Sequence, residues 1–360
     1  MCSAILDLGA EPVDPDAYIR ALMRWHFDPE SGSPYWLRRA RTLDFDPRTD
    51  IRTFDDLTRF PNVVDEFRDI AVSELIPRGL TGADREIAGI FESGGTTGLP
   101  KRFVMFEPWM EFALGWDEFH YAGLGTVNTL AIAPSGPHMF GEFATRRARR
   151  HDGLKFTIDL DPRWIKQLLA RGATEEAERY AGHLIDQVGH ILGTQPVGIL
   201  ITTPPLLERV ARRPELVDAI RAQVKFICWS GAHMDADTRD IFRTEIFPGI
   251  PLKGLYGSTT ILGMSRERDE DHPDGLPIFD APSPYIAFRV VDPATGRDVE
   301  YGERGQVVMN HLTKYALLPN NTERDTALKL PPLPGALGCA VADVGPVRTF
   351  GDRAVIEGVY

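Results

Sequence analysis

The sequence predicts an α/β fold, a mostly parallel sheet flanked by helices and followed by a smaller β-rich region. Between residues 127 and 255, short apolar runs alternate with segments of helical period, the pattern of parallel strands joined by crossover helices. From Tyr285 the period shortens. Ile286, Ala287, Phe288, Arg289, Val290 and Val291, a turn at 292–296 and a returning apolar run at 305–311 read as a strand pair. Composition agrees: 360 residues, 43% hydrophobic and 26% charged, are enough to bury a sizeable core and exclude wholesale disorder.

In chain order, residues 14–80 mix short helical patterns with proline-bearing turns, and within 15–27 Ile19, Leu22, Met23 and Phe27 fall at helical spacing. This lead-in, 1–80, opens a core spanning 1–280. Residues 127–134 read as a buried strand. Residues 174–192 read as an amphipathic helix with Ala177, Ala181, Leu184, Ile185, Val188 and Ile191 on one face, Glu175 and Glu176 at its start and Gly193 at its stop. Strand 197–201, helix 206–222, strand 224–229, helix 236–246 and strand 252–255 follow. The crossing at 280–284 leads into a β-rich subdomain, 281–360, in which 331–346 reads as a covering loop.

A net charge of −12 argues against a nucleic-acid partner. The basic knot of Arg146, Arg147, Arg149 and Arg150 reads as a solvated helix end. No run approaches the ~20 apolar residues of a membrane span, and no secretory signal is visible, so the expectation is a cytoplasmic protein with no membrane partner. Cys2, Cys228 and Cys339 lie far apart with no Cys-x-x-Cys pair, which disfavours a zinc site and a disulfide framework. No metal-ligating residues are assigned.

The segment hardest to explain as structure alone is Phe91-Glu92-Ser93-Gly94-Gly95-Thr96-Thr97-Gly98-Leu99-Pro100-Lys101-Arg102. Gly94, Gly95 and Gly98 let consecutive N–H groups converge on one anion. Ser93, Thr96 and Thr97 add hydroxyls, and Lys101 and Arg102 add charge, a set suited to a triphosphate. It is not a Walker A element, because Pro100 precedes the lysine and Arg102 follows it. A solvated Gly/Thr turn between strands is the plainer alternative. No Gly-x-Ser-x-Gly elbow or His-Glu-x-x-His occurs, which sets hydrolase and zinc-protease readings aside.

The segment from Ser93 to Lys101 resembles the signature loop of the adenylate-forming superfamily of acyl- and aryl-CoA ligases, adenylation domains and luciferases. Tyr256-Gly257-Ser258-Thr259-Thr260 resembles its Tyr-Gly-x-Thr-Glu motif, and Gly302-Glu303-Arg304-Gly305 its Gly-Glu-x-Gly turn. Ser33-Pro34-Tyr35-Trp36, the stretch 50–57 and the stretch 312–319 are similar to the phenylacetate-CoA ligase branch. The resemblance implies that family's large N-terminal domain and attack of a carboxylate on the α-phosphorus of ATP, giving an acyl-adenylate and pyrophosphate. It implies Lys101 and Thr259 as catalytic, with Thr259 reaching the α-phosphate. Ser230, Gly231 and Ala232 would line the adenine, Tyr256 would stack on it, Gly257 and Ser258 would border it, and Asp325 would hold the ribose.

The implied cofactors are ATP and Mg2+, but Thr260 stands where the family places a metal-holding glutamate, and a hydroxyl is a far poorer ligand for a hard cation. Arg324 replaces the glycine before the ribose aspartate. The chain ends at Gly358-Val359-Tyr360, about where the family's hinge enters its lid domain. The expectation is therefore a lidless form, similar to adenylating proteins of phenazine antibiotic pathways, that activates an aryl carboxylate for a partner reductase, thioesterifying enzyme or carrier protein. The rival expectation is a non-adenylating carrier of an aryl acid or acyl-adenylate.

In an open α/β sheet, ligands sit beyond the carboxyl ends of the strands. The segments 134–143, 230–233 and 256–259 fall there, although each also suits an ordinary strand-ending turn. His138, Phe140, Phe143 and His233 are the candidate acid-binding side chains, with either histidine facing the carboxylate.

Overall fold

A computed structural model describes residues 4–9, 14–94, 99–347, 349–350 and 353–354. The lead-in holds three helices, α1 (Pro15–Phe27), α2 (Pro34–Arg39) and α3 (Pro47–Asp50). Each starts on a proline at its first turn, and Asp14, Ser33 and Asp46 cap them by accepting backbone N–H bonds. A separate antiparallel hairpin follows, β1 (Ile87–Glu92) and β2 (Arg102–Phe106), then α4 (Glu107–Trp116).

The body is one sheet of 11 strands. Its parallel half comprises β3 (Thr129–Ile132), β4 (Lys155–Thr157), β5 (Ile199–Thr202), β6 (Phe226–Trp229) and β7 (Leu252–Ser258), in the order β4-β3-β5-β6-β7. The connections carry α5 (Met139–Arg150), α6 (Pro162–Ala170), α7 (Thr174–Thr194), α8 (Pro204–Ala211), α9 (Pro214–Gln223) and α10 (Ala236–Ile241). Every residue of β3, β5 and β6 is buried, as strands covered on both faces require. Beyond β7 the sheet turns antiparallel through β8 (Gly263–Glu267), β9 (Ile278–Asp280), β10 (Ile286–Val291), β11 (Arg304–Leu312), β12 (Leu317–Leu330) and β13 (Ala340–Pro346), in the order β7-β8-β9-β13-β12-β11-β10. The boundary read near residue 280 falls between β9 and β10, inside this continuous sheet.

Several sequence expectations need correction. The single helix read over 206–222 is two, because Pro214 opens a new first turn at α9. Gly193 does not stop α7, which runs on to Thr194. The covering loop read over 331–346 contains β13, which joins β12 to β9. The arginines at the end of α5 form a solvated helix end only in part: Arg149 and Arg150 are exposed, but Arg146 and Arg147 are not. Arg147 is buried and bonds Asp117, Glu118 and the Leu114 carbonyl, while Arg146 reaches Glu107, Glu111 and Glu142. They clamp α5 to α4.

The pairing of β12 with β11 is irregular between Thr322 and Thr326. Thr326 and Thr322 lie four residues apart, yet their partners Gln306 and Val308 on β11 are only two apart. Two residues of β12 are therefore extra, and 323–325 form a bulge. Among the described residues, no helix is long and apolar enough to cross a membrane.

Candidate active site

A cleft of about 620 Å³ lies where the parallel strands end, bounded by the two ends of the β1–β2 connection, the start of α5 and the β12 bulge. The loop neck is fixed by two bonds: the Ser93 N–H donates to the Lys101 carbonyl and the Lys101 N–H donates to Ser93 Oγ, both at 2.9 Å. Ser93, Gly94 and Lys101 line the cleft. Gly95, Thr96, Thr97 and Gly98 lie outside the described residues. Lys166 of α6 donates to the Gly94 carbonyl at 3.2 Å, holding that helix beside the loop.

Lys101 and Arg102, adjacent in sequence, part company. Neighbouring strand residues point to opposite faces. Arg102 turns away, half exposed and paired with Glu92 at 2.8 Å, and is not part of the cleft wall. Lys101 is nearly buried and its Nζ lies 2.9 Å from the exposed Asp65 carboxylate. Arg68 reaches the same carboxylate at 2.9 Å. Partial burial opposes ionisation of Asp65, but Lys101 and Arg68 prevail and hold its carboxyl below the usual range.

The opposite wall is built from strand ends. Ser230 and Gly231 follow β6, with Ser230 Oγ bonded to the Leu255 carbonyl at 2.8 Å and Gly231 at φ +85°. Gly257, Ser258 and Thr259 close β7, and Ser258 Oγ accepts from the Thr260 N–H. Thr260 also borders a second cavity of about 30 Å³ behind the cleft, shared with His26, His311 and Phe67. Ala232 does not border the cleft. Tyr256 does not border it either: its ring packs near Phe279 and Phe288 and its hydroxyl donates to Asp325 at 3.1 Å. Tyr256 thus positions the neighbouring carboxylate instead of offering a free stacking face.

Of the four acid-binding candidates, two face the cleft. His138 sits one residue before α5, and Phe140 beside Met139 forms an apolar wall. Burial, followed by the nearby Arg163 and Lys166 charges, pushes the His138 imidazole down to about 4, so it is neutral near pH 7. Phe143 is buried in the core. His233 is spent on structure, its Nδ1 bonded to the Val344 carbonyl at 2.7 Å. Neither lines the cleft.

Sequence reading missed Asn62, Asp65 and Arg68 and gave no cleft role to the residues just before Asp325. Asn62, Asp65 and Arg68 come from a tight turn in the lead-in, and Asn321, Thr322, Glu323 and Arg324 join Asp325 from β12. Only the Asp65–Arg68 spacing, three residues apart in a helical turn, hinted at a paired charge. Glu323 accepts from Asn321 Nδ2 at 2.7 Å. Its burial, and then the Asp325 charge, push its carboxyl up to about 7.

Among the described residues, no three histidine, cysteine, aspartate or glutamate side chains converge as a metal site, and Thr260 brings a hydroxyl where a carboxylate would be needed. The residues present do not make a magnesium cage of their own, and no chemical step is assigned to one.

No protein-family model and no curated protein matches the chain. Solved structures do. A 2-hydroxyisobutyryl-CoA ligase, in complex with 2-HIB-AMP and CoA in its thioesterification state, is 16% identical with a TM-score of 0.62, over 95% of this chain and 69% of its own. ATP-bound MatB from Rhodopseudomonas palustris is 17% identical with a TM-score of 0.50, over 74% of this chain and 49% of its own. An ATP-bound RpMatB-BxBclM chimera is 18% identical with a TM-score of 0.51, over the same shares. The chain spans about half the length of these last two. The likeness is one of fold, that of adenylate-forming enzymes.

Proposed function

We propose that this chain uses ATP to activate an aromatic carboxylic acid as its acyl-adenylate, releasing pyrophosphate. The observation that carries the reading is the convergence of Ser93, Gly94 and Lys101 with Ser230, Gly231, the 257–259 turn and Asp325 around one cleft. The structural relatives add support, since one holds 2-HIB-AMP and two hold ATP. Ser230 and Gly231 would border the base, Asp325 the ribose, Thr259 the α-phosphate, and Lys101 with the loop the phosphate chain. Met139, Phe140 and the neutral His138 would border a flat acid. Attack joins two anions, so the demand on the protein is charge neutralisation and in-line placement by groups already fixed in position.

ATP–pyrophosphate exchange across benzoate, arylacetate, phenazine and small aliphatic acids tests this. Exchange with aryl acids is expected. A second reading, a carrier of a ready-made acyl-adenylate, is favoured by Thr260. Absence of exchange with every acid, together with tight binding of a synthetic acyl-adenylate, would replace the first reading with the second.

A pH dependence follows from Glu323. Below pH 7 it is protonated and neutral; above it, a negative charge is added beside Asp325. ATP affinity should therefore fall as pH rises from 6 to 8, by ~3–10-fold for one added like charge in a partly solvated cleft. Calorimetric titration checks it, with Glu323→Gln expected to remove this protein-borne part of the profile. Parallel profiles for the two proteins would refute the assignment.

A further inference from the structure

The cations of the cleft are not equally committed. Lys101 and Arg68 both rest on Asp65. Arg324, which lines the same cleft, does not share in this: its Nη1 is closed to solvent and has no hydrogen-bond partner. The carboxylates on either side of it in sequence are engaged elsewhere, Glu323 with Asn321 Nδ2 at 2.7 Å and Asp325 with the Tyr256 hydroxyl at 3.1 Å. The backbone beneath is fixed from both flanks. The Val347 N–H donates to the Arg324 carbonyl at 2.8 Å, and Gln306 Nε2 donates to the Glu323 carbonyl at 3.0 Å. The bulge in β12 thus fixes the backbone that carries this guanidinium at the cleft wall; its charge acts on Glu323, but the hydrogen bonds of both adjacent carboxylates go to other groups.

A buried donor without an acceptor costs free energy, and since Nη1 is closed to solvent as the side chain stands, an incoming acceptor meets it when the guanidinium turns toward the cleft that the residue lines. A guanidinium presents a planar fork of N–H donors that matches two oxygens of a phosphate. We propose that Arg324 is a phosphate-holding residue of this cleft, donating from its guanidinium to the phosphate attached to the nucleoside. The proposal rests on the nucleotide reading above and deepens it. A positively charged donor there neutralises the phosphate that the carboxylate must approach, at a position where neither Thr260 nor any metal cluster among the described residues does so.

Paired titrations with AMP and adenosine test it, since the two ligands differ by the phosphate alone. For Arg324→Gln, AMP affinity should fall ~10–100-fold, the worth of a hydrogen bond to a charged group, while adenosine affinity and aryl-acid affinity stay unchanged. Arg324→Lys, which keeps the charge but not the fork, should recover part of the loss, and it carries the comparison should the glutamine variant fail to fold. Equal AMP affinity in folded variants and parent would overturn the proposal and leave the adenylation reading intact. Equal losses for AMP and adenosine would make Arg324 structural, and loss of acid binding alone would reassign it to the carboxylate; either overturns the proposal. A parent protein that binds neither AMP nor adenosine would bring down both readings together.

Discussion

Lys101→Ala should reduce adenylate formation ~10²–10³-fold, the typical cost of removing one fixed donor from a charge-stabilising site, with little loss of stability. Lys101 Nζ lies 2.9 Å from Asp65, and that carboxylate keeps Arg68 at 2.9 Å when the lysine is removed. Asp65 itself is largely exposed, so the lost pair contributes only ~0–1 kcal/mol. Thermal melts and calorimetric ATP titrations, run beside the exchange assay, separate the two quantities. Undiminished exchange and ATP affinity in a folded Lys101→Ala protein would remove the phosphate role from the loop.

Arg239→Ala should produce the largest stability loss of any single substitution considered, ~3–5 kcal/mol, because breaking one side of a buried ion pair strands the other charge. Arg239 and Glu267 are 2% and 0% exposed and their charged atoms lie 2.6 Å apart. Glu267 also accepts from the Gly254 N–H at 2.6 Å, and Arg239 reaches Asp271 at 2.8 Å. Burial raises the Glu267 carboxyl against the pull of Arg239 and Lys253, so without Arg239 that carboxyl must take up a proton or stay charged in the core. The pair braces β8 against α10 and against β7, whose end forms the cleft wall. Urea unfolding measures the loss, and the paired replacement Arg239→Met with Glu267→Met should recover most of it. A single-mutant loss under ~1 kcal/mol would mean that water or Lys253 compensates the stranded carboxylate.

The parallel half of the sheet was legible because its strands are buried on both faces, leaving short apolar runs between helices whose own period is clear, as at 174–192. The antiparallel half was legible only where apolar residues recur, in β10 and β11. β12 was not: its middle reads Asn320-Asn321-Thr322-Glu323-Arg324-Asp325, polar throughout, with 321–325 at the cleft and Asn320 bonded to the Phe60 carbonyl, so no period of two survives. β13 hides in a segment rich in glycine, proline and alanine. The loop segment 93–101 and the turn after β7 could be found from local chemistry, since glycines and hydroxyls announce themselves. Asp65, Arg68 and Glu323 could not, because their roles exist only through contacts between segments distant in sequence. Arg102, Tyr256, Phe143 and His233 were legible as residue types but not as directions; strand alternation, core packing and one carbonyl bond turn them from the cleft.

The bulge in β12 also bears on how such a cleft diversifies. Its flanks keep regular partners on β11, Thr326 with Gln306 and Thr322 with Val308, while 323–325 stand clear of that ladder. Substitutions inside this short stretch change which side chains line the cleft while the β11 pairs on either side retain their register, whereas a change of length would have to be taken up by β13, where Asp325 faces Pro346. The side chains of this cleft wall are thereby less tightly tied to the β11 ladder than those of the flanking strand.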